Sequence, residues 1–299
     1  MRVFVTGASG WIGSATVEEL LAHGHQVTGL ARSDVSASVI EAKGADVLRG
    51  DLDDLNSLKR GAGDADAVIH LANKHDWADS AGNDRAERLA VETMLAALTG
   101  TNRPFVVANA LSGLVQGRSV TEADASPAIG PDSDRGGSEN LTLGYATRGV
   151  RTMVSRFAPS VHGEGDWGFL VFLADAAREH GVSGYIGDGS TTWSAIHRSD
   201  AARMLRLGIE KAPAGTRLHA VAEEAITTHA IAEALGKALG VPVVSIAPQD
   251  AAAHFGFVAH FFGQSMTASS TRTRELLDWT PEGPGLIDDI LSGSYGSRA

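Results

Sequence analysis

Three glycines at three-residue intervals, in Thr6-Gly7-Ala8-Ser9-Gly10-Trp11-Ile12-Gly13, follow directly on the apolar run Val3-Phe4-Val5. A loop of this spacing leaving a buried strand can bring backbone N–H groups against a pyrophosphate. Gly7 permits the tight exit, Gly10 the close approach, and Gly13 the packing of helix on strand. Ser9, Trp11 and Ile12 fill the remaining positions of the cradle. Val17, Leu20 and Leu21 then recur at helical spacing up to Gly24, and His25 to Ala31 reads as a second strand. Strand, loop, helix and strand fall within the ~30 residues of a dinucleotide-binding βαβ unit.

The second strand ends Leu30-Ala31-Arg32-Ser33. An acid at that point accepts a hydrogen bond from a ribose 2′-hydroxyl, whereas an arginine suits a 2′-phosphate through a forked, charge-assisted contact. Ala31 stands where the acid would be, so Arg32 and Ser33 favour NADP(H) over NAD(H). Asp51 and Leu52 after the third strand, and Leu71, Ala72 and Asn73 after the fourth, are placed to line the adenine and ribose.

These groups need a sheet to position them. Helix Ser33 to Lys43, strand Asp46 to Arg49, helix Asp54 to Ala62, strand Ala67 to Leu71, helix Arg85 to Leu98 and strand Pro104 to Ala108 continue the alternation. Helix Ser138 to Arg148 and strand Arg151 to Phe157 follow. Such alternation predicts an α/β, doubly wound parallel-sheet Rossmann fold with a smaller C-terminal substrate lobe. The expected division is a Rossmann domain over 1–160 and a lobe over 161–299. Residues 192–211 pack back onto the Rossmann body, and Arg217 to the C-terminus builds most of the lobe.

The chain has 299 residues, no cysteine, and 25 basic against 36 acidic side chains, a net charge of −11. Thiolate chemistry and disulfides are excluded, and a phosphate-backbone partner finds no general attraction. No nucleic acid, no membrane span and no signal peptide is expected, and a cytoplasmic location is the default.

Thr6 to Gly13, Gly50-Asp51-Leu52, His70-Leu71-Ala72, Arg156 to Gly163 and Gly187-Asp188-Gly189 together resemble the extended short-chain dehydrogenase/reductase superfamily, the NAD-dependent epimerase/dehydratase type. The resemblance implies a Rossmann body, a nicotinamide cofactor, a C-terminal substrate lobe, and backbone contacts from Pro159, Ser160 and Val161 to the nicotinamide. It also implies a Tyr-x-x-x-Lys pair, which this chain lacks: four residues beyond Tyr145, Tyr185 and Tyr295 stand Gly149, Gly189 and Ala299. Arg135 and Glu139 occupy the corresponding positions, in a spacing that also serves plain helix-surface pairing. Ala110 replaces the family's serine or threonine, and Ser112 stands two residues on. The chain thus looks like an atypical member.

An arginine can neutralise developing negative charge without giving up a proton, so Arg135 is a candidate stabiliser and Ser112 the hydroxyl candidate. Of the histidines that the family architecture aims at the nicotinamide, His75, His162 and His197, the last two are the preferred pair for proton transfer. No metal site is expected. Trp167, Tyr185 and Trp193 are candidate pocket walls, and the apolar run Ala251 to Phe262 points to an uncharged substrate. The leading expectation is an NADP(H)-dependent oxidoreductase acting on a small, largely apolar carbonyl-type compound. The alternatives are a non-catalytic NADP(H)-binding sensor or regulator, and a sugar-nucleotide epimerase or dehydratase. By analogy with the superfamily, the helices Arg85 to Leu98 and Ser138 to Arg148 suggest a homodimer.

Overall fold

The computed structural model describes residues 1–74 and 79–296, so His75 lies outside the described residues. Strands β1 (Arg2–Thr6), β2 (Gln26–Ala31), β3 (Asp46–Arg49), β4 (Ala67–His70), β5 (Pro104–Ala110) and β6 (Arg151–Phe157) alternate with five helices. These are α1 (Trp11–Ala22), α2 (Asp34–Glu41), α3 (Leu55–Asp64), α4 (Ser80–Leu98) and α5 (Ser138–Gly144). The second half adds β7 (Ser160–His162), α6 (Phe169–His180), β8 (Ser183–Ile186), β9 (Thr192–His197), α7 (Arg198–Lys211), β10 (Thr216–Ala220), β11 (Glu223–Thr227) and α8 (Thr228–Leu239). It closes with β12 (Val243–Ile246) and the short helices α9 (Ala251–Phe255), α10 (Val258–Phe262), α11 (Thr271–Leu277) and α12 (Leu286–Asp289).

Val3, Phe4 and Val5 of β1, and Ala67, Val68 and Ile69 of β4, are all buried, because helices cover both faces of the strands they occupy. The seven-stranded sheet runs β10-β6-β5-β4-β1-β2-β3 with every neighbouring pair parallel. Chain order reverses between β1 and β4, and at such a switch point the loops diverge and leave a crevice. The glycine loop leaves β1 there. One hydrophobic cluster lies on each face of this sheet, and a third, around Leu170, Trp193, Ile231, Phe255, Phe262 and Ile290, sits under the C-terminal elements.

Helix α7 lies against α1, where Arg206 Nε donates to Glu19 at 2.7 Å and Glu210 meets His25 Nε2 at 2.9 Å. One expectation for the last third needs correction. Thr216–Ala220 does not join the lobe but pairs with β6 as the sheet's edge, since Leu218, His219 and Ala220 are buried against the main body. The lobe's own sheets are small, β11-β9-β7 and β12-β8. Helix α5 is also shorter than its pattern predicts. It tightens into a 3-10 turn over Tyr145–Arg148 and stops at Gly149, whose φ is +73°.

Candidate functional site

Gly7 adopts φ +69°, and a Cβ there would lie 2.8 Å from the Ala72 nitrogen. A Cβ on Gly13 would fall 1.9 Å from the Gly7 carbonyl oxygen, and one on Gly10 3.2 Å from the same atom. The loop therefore closes on itself only without side chains at these points, and the Gly10 N–H donates to the Gly7 carbonyl at 2.9 Å. Helix α1 starts inside the motif at Trp11 rather than at Ser14, with no side-chain cap and no acid in its first turn. Its first N–H groups and the positive end of its dipole are left for an anion. Half-buried Ser9 and Ile12 flank that end, and the Trp11 indole donates to the Val161 carbonyl at 2.6 Å while the Arg198 guanidinium stands 4.4 Å above its ring. Trp11 thus ties the glycine loop to β7 and to the start of α7.

Arg32 is exposed and makes no hydrogen bond or ion pair among the described residues, whereas Arg49 beside it bonds Asp34 at 2.6 Å. Ser33 has a structural task that its spacing did not announce: its hydroxyl accepts from the Ser36 N–H and caps α2, an arrangement worth about 1 kcal/mol. Asp51 likewise folds its own loop, accepting the N–H groups of Asp53 and Asp54 at 2.9 and 3.0 Å. Leu52 is buried, and Leu71, Ala72 and Asn73 form the half-buried strip leaving β4. The Ala72 N–H donates to Thr6 Oγ1 at 3.2 Å.

The four residues singled out for chemistry are not all together. Ser112 is exposed on the loop after β5. Arg135 does not pair with Glu139: it precedes α5 in a left-handed conformation (φ 53°, ψ 31°), and its guanidinium donates to Glu87 of α4 at 2.7 Å. Gly136 and Gly137 are left-handed as well, and this turn points Arg135 away from the helix surface that an i, i+4 pair requires. Glu139 is instead buried against Arg156, at 2.5 and 3.1 Å, with Arg217 at 3.0 Å and Asn109 at 2.9 Å. Burial pushes the Glu139 carboxyl up, but its bonds to the two arginines outweigh that and hold it below the usual range. Glu139 is thus spent on an internal ion pair.

Glu87, 1% exposed, receives Arg135 on one oxygen, and its other oxygen lies 3.7 Å from His70 Nε2. His70 Nδ1 in turn meets Thr6 Oγ1 at 2.6 Å. Burial raises the Glu87 carboxyl, yet Arg135 and His70 together bring it down to about 2. This buried string runs from the exit of β1 to Arg135, and neither Glu87 nor His70 was expected from the pattern. The signals were present: a histidine ending an apolar strand, and an acid in line with Ala90, Val91 and Met94 on the buried face of α4.

His162 and His197 do meet, edge to face, with ring centroids 5.6 Å apart. His162 is wholly buried. Its Nδ1 bonds Asp289 at 2.7 Å, and its Nε2 has no hydrogen-bond partner among the described residues. His197, half-buried at the start of α7, takes the Ser199 hydroxyl at 2.7 Å on Nδ1. Its Nε2 faces Gly163, where a Cβ would come within 3.1 Å. Burial, and then the neighbouring His162, push the His197 pKa down. Ser160 is buried in β7, and Pro159 precedes it. The carbonyl of Val161 is already engaged by Trp11.

Among the proposed walls, Trp193 is fully buried in the lobe core and donates to the Phe261 carbonyl, and Tyr185 packs edge-on to His229. Trp193 is a core residue, whereas Tyr185 is half-buried. Trp167 is 59% exposed. The apolar run divides: Phe255, Val258 and Phe262 enter the core, while Phe257 is 47% exposed and meets Phe172 and Phe169.

A family model described as the NAD dependent epimerase/dehydratase family matches residues 3–221. The chain belongs to this family. Among its relatives are an uncharacterised protein of Saccharomyces cerevisiae, 42% identical over 97% of this chain and 98% of that one, and a ketoreductase of Stigmatella aurantiaca. The latter, named for a 3-oxo farnesyl dihydroquinoline oxide, is 30% identical over 72% of this chain and 66% of its own length. UDP-glucose 4-epimerase of Thermotoga maritima shares the fold at a TM-score of 0.77 and 20% identity, over 99% of this chain and 98% of that one. Family and relatives together indicate an oxidoreductase of the short-chain dehydrogenase/reductase type. Arg135 and Glu139 are both committed to carboxylate–guanidinium contacts inside the protein.

Proposed function

We propose that this epimerase/dehydratase-family chain is an NADP(H)-dependent oxidoreductase acting on a small, largely apolar carbonyl-type compound, with a proton-transfer set built from histidines. One observation carries the cofactor choice. Arg32 is unpaired at the end of β2, where Ala31 leaves no acid for a ribose hydroxyl. Gly7, Ser9, Gly10, Trp11, Ile12 and Gly13 would hold the pyrophosphate, Arg32 and Ser33 the 2′-phosphate, Asp51, Leu52, Leu71, Ala72 and Asn73 the adenosine side, and Pro159 to Val161 the nicotinamide. In this reading residues 1–160 bind the dinucleotide and 161–299 the substrate, with 192–211 returning to the Rossmann body.

When bound, the dinucleotide supplies or accepts a hydride. The chain must then give or take a proton at the substrate oxygen, and His162 with His197 is the pair able to do so. Arg135, held by Glu87, stabilises negative charge, and the Ser112 hydroxyl offers a hydrogen bond. An uncharged substrate agrees with the engagement of two arginines of the C-terminal part, Arg217 by Glu139 and Arg274 by Ser270 and the Ala222 carbonyl. It also agrees with the exposed aromatic side chains of Trp167, Phe172 and Phe257 and with the oxo substrate named for the ketoreductase relative. The competing reading, a dinucleotide sensor, is favoured by the commitment of Arg135 and Glu139 to internal ion pairs. Leu89, 52% exposed on α4, supports a homodimer through α4 and α5, which light scattering would test with Leu89→Glu.

The deciding experiment is a thermal-shift titration with NADP(H) and NAD(H) on the protein and on Arg32→Asp, since a ligand of the native state raises Tm by mass action. NADP(H) should be preferred, and the preference should vanish in the variant. Equal or absent shifts in the unmutated protein would overturn the cofactor assignment. Oxidation of NADPH in the presence of 9,10-phenanthrenequinone and a set of aryl ketones separates the reductase from the sensor.

A further inference from the structure

The last residues of the described chain meet the histidine pair. Asp289 at the end of α12 bonds His162 Nδ1 at 2.7 Å, and the Ser294 hydroxyl donates to its other oxygen at 2.7 Å. Tyr295 donates to Asp166 at 2.8 Å, and Arg178 to the Tyr295 carbonyl at 2.5 Å, which ties this end down beside the Gly163–Gly168 loop. His162 Nε2 stays unpartnered although the residue is 0% exposed. A buried polar atom without a protein partner is costly and calls for a ligand, a water or a catalytic role. The Val161 carbonyl, one residue away, holds the Trp11 indole of the glycine loop, and the His162 ring meets His197, whose neighbour Arg198 stands over the same indole.

We infer that Asp289 is a positioning residue that fixes the proton of His162 on Nδ1, leaving Nε2 as the atom that exchanges a proton with the substrate oxygen. The inference rests on the reductase reading above. A bound reduced nicotinamide would supply a hydride to the carbonyl carbon, with the π pair moving onto oxygen. That oxygen would take the Nε2 proton of the His162 imidazolium, and the neutral ring would regain a proton from solvent. The groups facing His162 are Asp289 on α12, Asp166 on the loop that follows β7, and His197 on β9. Its own environment keeps the His197 ring in the neutral form, so the two imidazoles take separate roles. A carboxylate oriented toward Nδ1 fixes the tautomer and supports the imidazolium.

The test is nitrogen-15 NMR of ring-labelled histidine in the full chain, with His162→Gln to assign the signal. In the neutral ring the proton should reside on Nδ1. In Asp289→Asn the preference for a proton on Nδ1 should be lost, as removal of the carboxylate that accepts it does. Ser294→Ala should weaken that preference less and guards against a misfolded Asp289 variant. Addition of NADP+ should move the His162 signal. A proton on Nε2, or a tautomer unchanged in both variants, overturns the inference. If NADP+ binds by thermal shift and leaves the His162 signal untouched, this role fails while the cofactor reading stands. If NADP+ does not bind at all, the cofactor reading fails, while the tautomer results still decide the dyad.

Discussion

At Arg135 the backbone accepts a left-handed conformation that costs a non-glycine residue roughly 1 kcal/mol, and two following glycines extend the turn. The return is a guanidinium set against Glu87 in the sheet-facing layer, with Asp84 accepting the Arg135 N–H at 2.8 Å. Removing the carboxylate leaves a partly buried cation without its partner, so Glu87→Ala should destabilise the protein by about 3 kcal/mol. Urea unfolding would measure this, and a change under 1 kcal/mol would show that the string from Thr6 to Arg135 is energetically idle. His197 lends itself to a kinetic prediction. Its pKa is pushed down by burial and by His162, so the ring is neutral at pH 7. His197→Gln should therefore lower turnover without shifting the acid limb of the pH profile.

Among the elements, the unit of β1, glycine loop and α1 is the least tolerant. Gly13→Ala would place a methyl 1.9 Å from the Gly7 carbonyl oxygen, an overpacking that typically costs 1–3 kcal/mol or more and moves the loop. The expected outcome is a lower Tm together with loss of the NADP+-induced shift. Gly24 is the control: its φ is +76° but nothing lies within 4 Å of a Cβ there. Gly24→Ala should cost only about 1 kcal/mol through backbone strain and leave the NADP+ shift intact. If both variants behave alike, close packing in the loop is not what the glycines provide. Sequence periodicity made these elements legible because strands buried on both faces read as apolar runs and amphipathic helices repeat every three to four residues. It was weaker at α5, where the left-handed turn and the 3-10 ending replace a regular helix.

Across the whole molecule, several carboxylates sit below their ordinary range: Glu87, Glu139 and Asp289, each raised by burial and lowered further by its partners. A carboxylate whose pKa is lower in the folded than in the unfolded state adds stability above the unfolded value, and that stability disappears as pH falls through the folded one. For Glu87, between its usual 4.5 and about 2, this amounts to on the order of 3 kcal/mol. Asp84 and Asp166 are shifted up by burial and act in the opposite sense. Calorimetry from pH 7 down to pH 3 should show Tm falling once pH drops below about 4.5, and less steeply in Glu87→Gln. A Tm independent of pH over that interval would contradict the pairing. The described residues contain no helix long and apolar enough to cross a membrane.

By itself the sequence determined what depends on neighbours along the chain: the βαβ unit, the glycine loop, the parallel sheet and the absence of a Tyr-x-x-x-Lys pair. Short-range periodicity and steric demands on glycine are written locally, so they survive without coordinates. Only the tertiary structure decided the partners. Arg135 meets Glu87 across 48 positions, His162 meets Asp289 across 127, and Glu139 is consumed by Arg156 and Arg217. Charge pairing and burial depend on distance in space, and in this fold the crossovers of the sheet and the return of the C-terminal segment bring together groups whose spacing along the chain carries no signal.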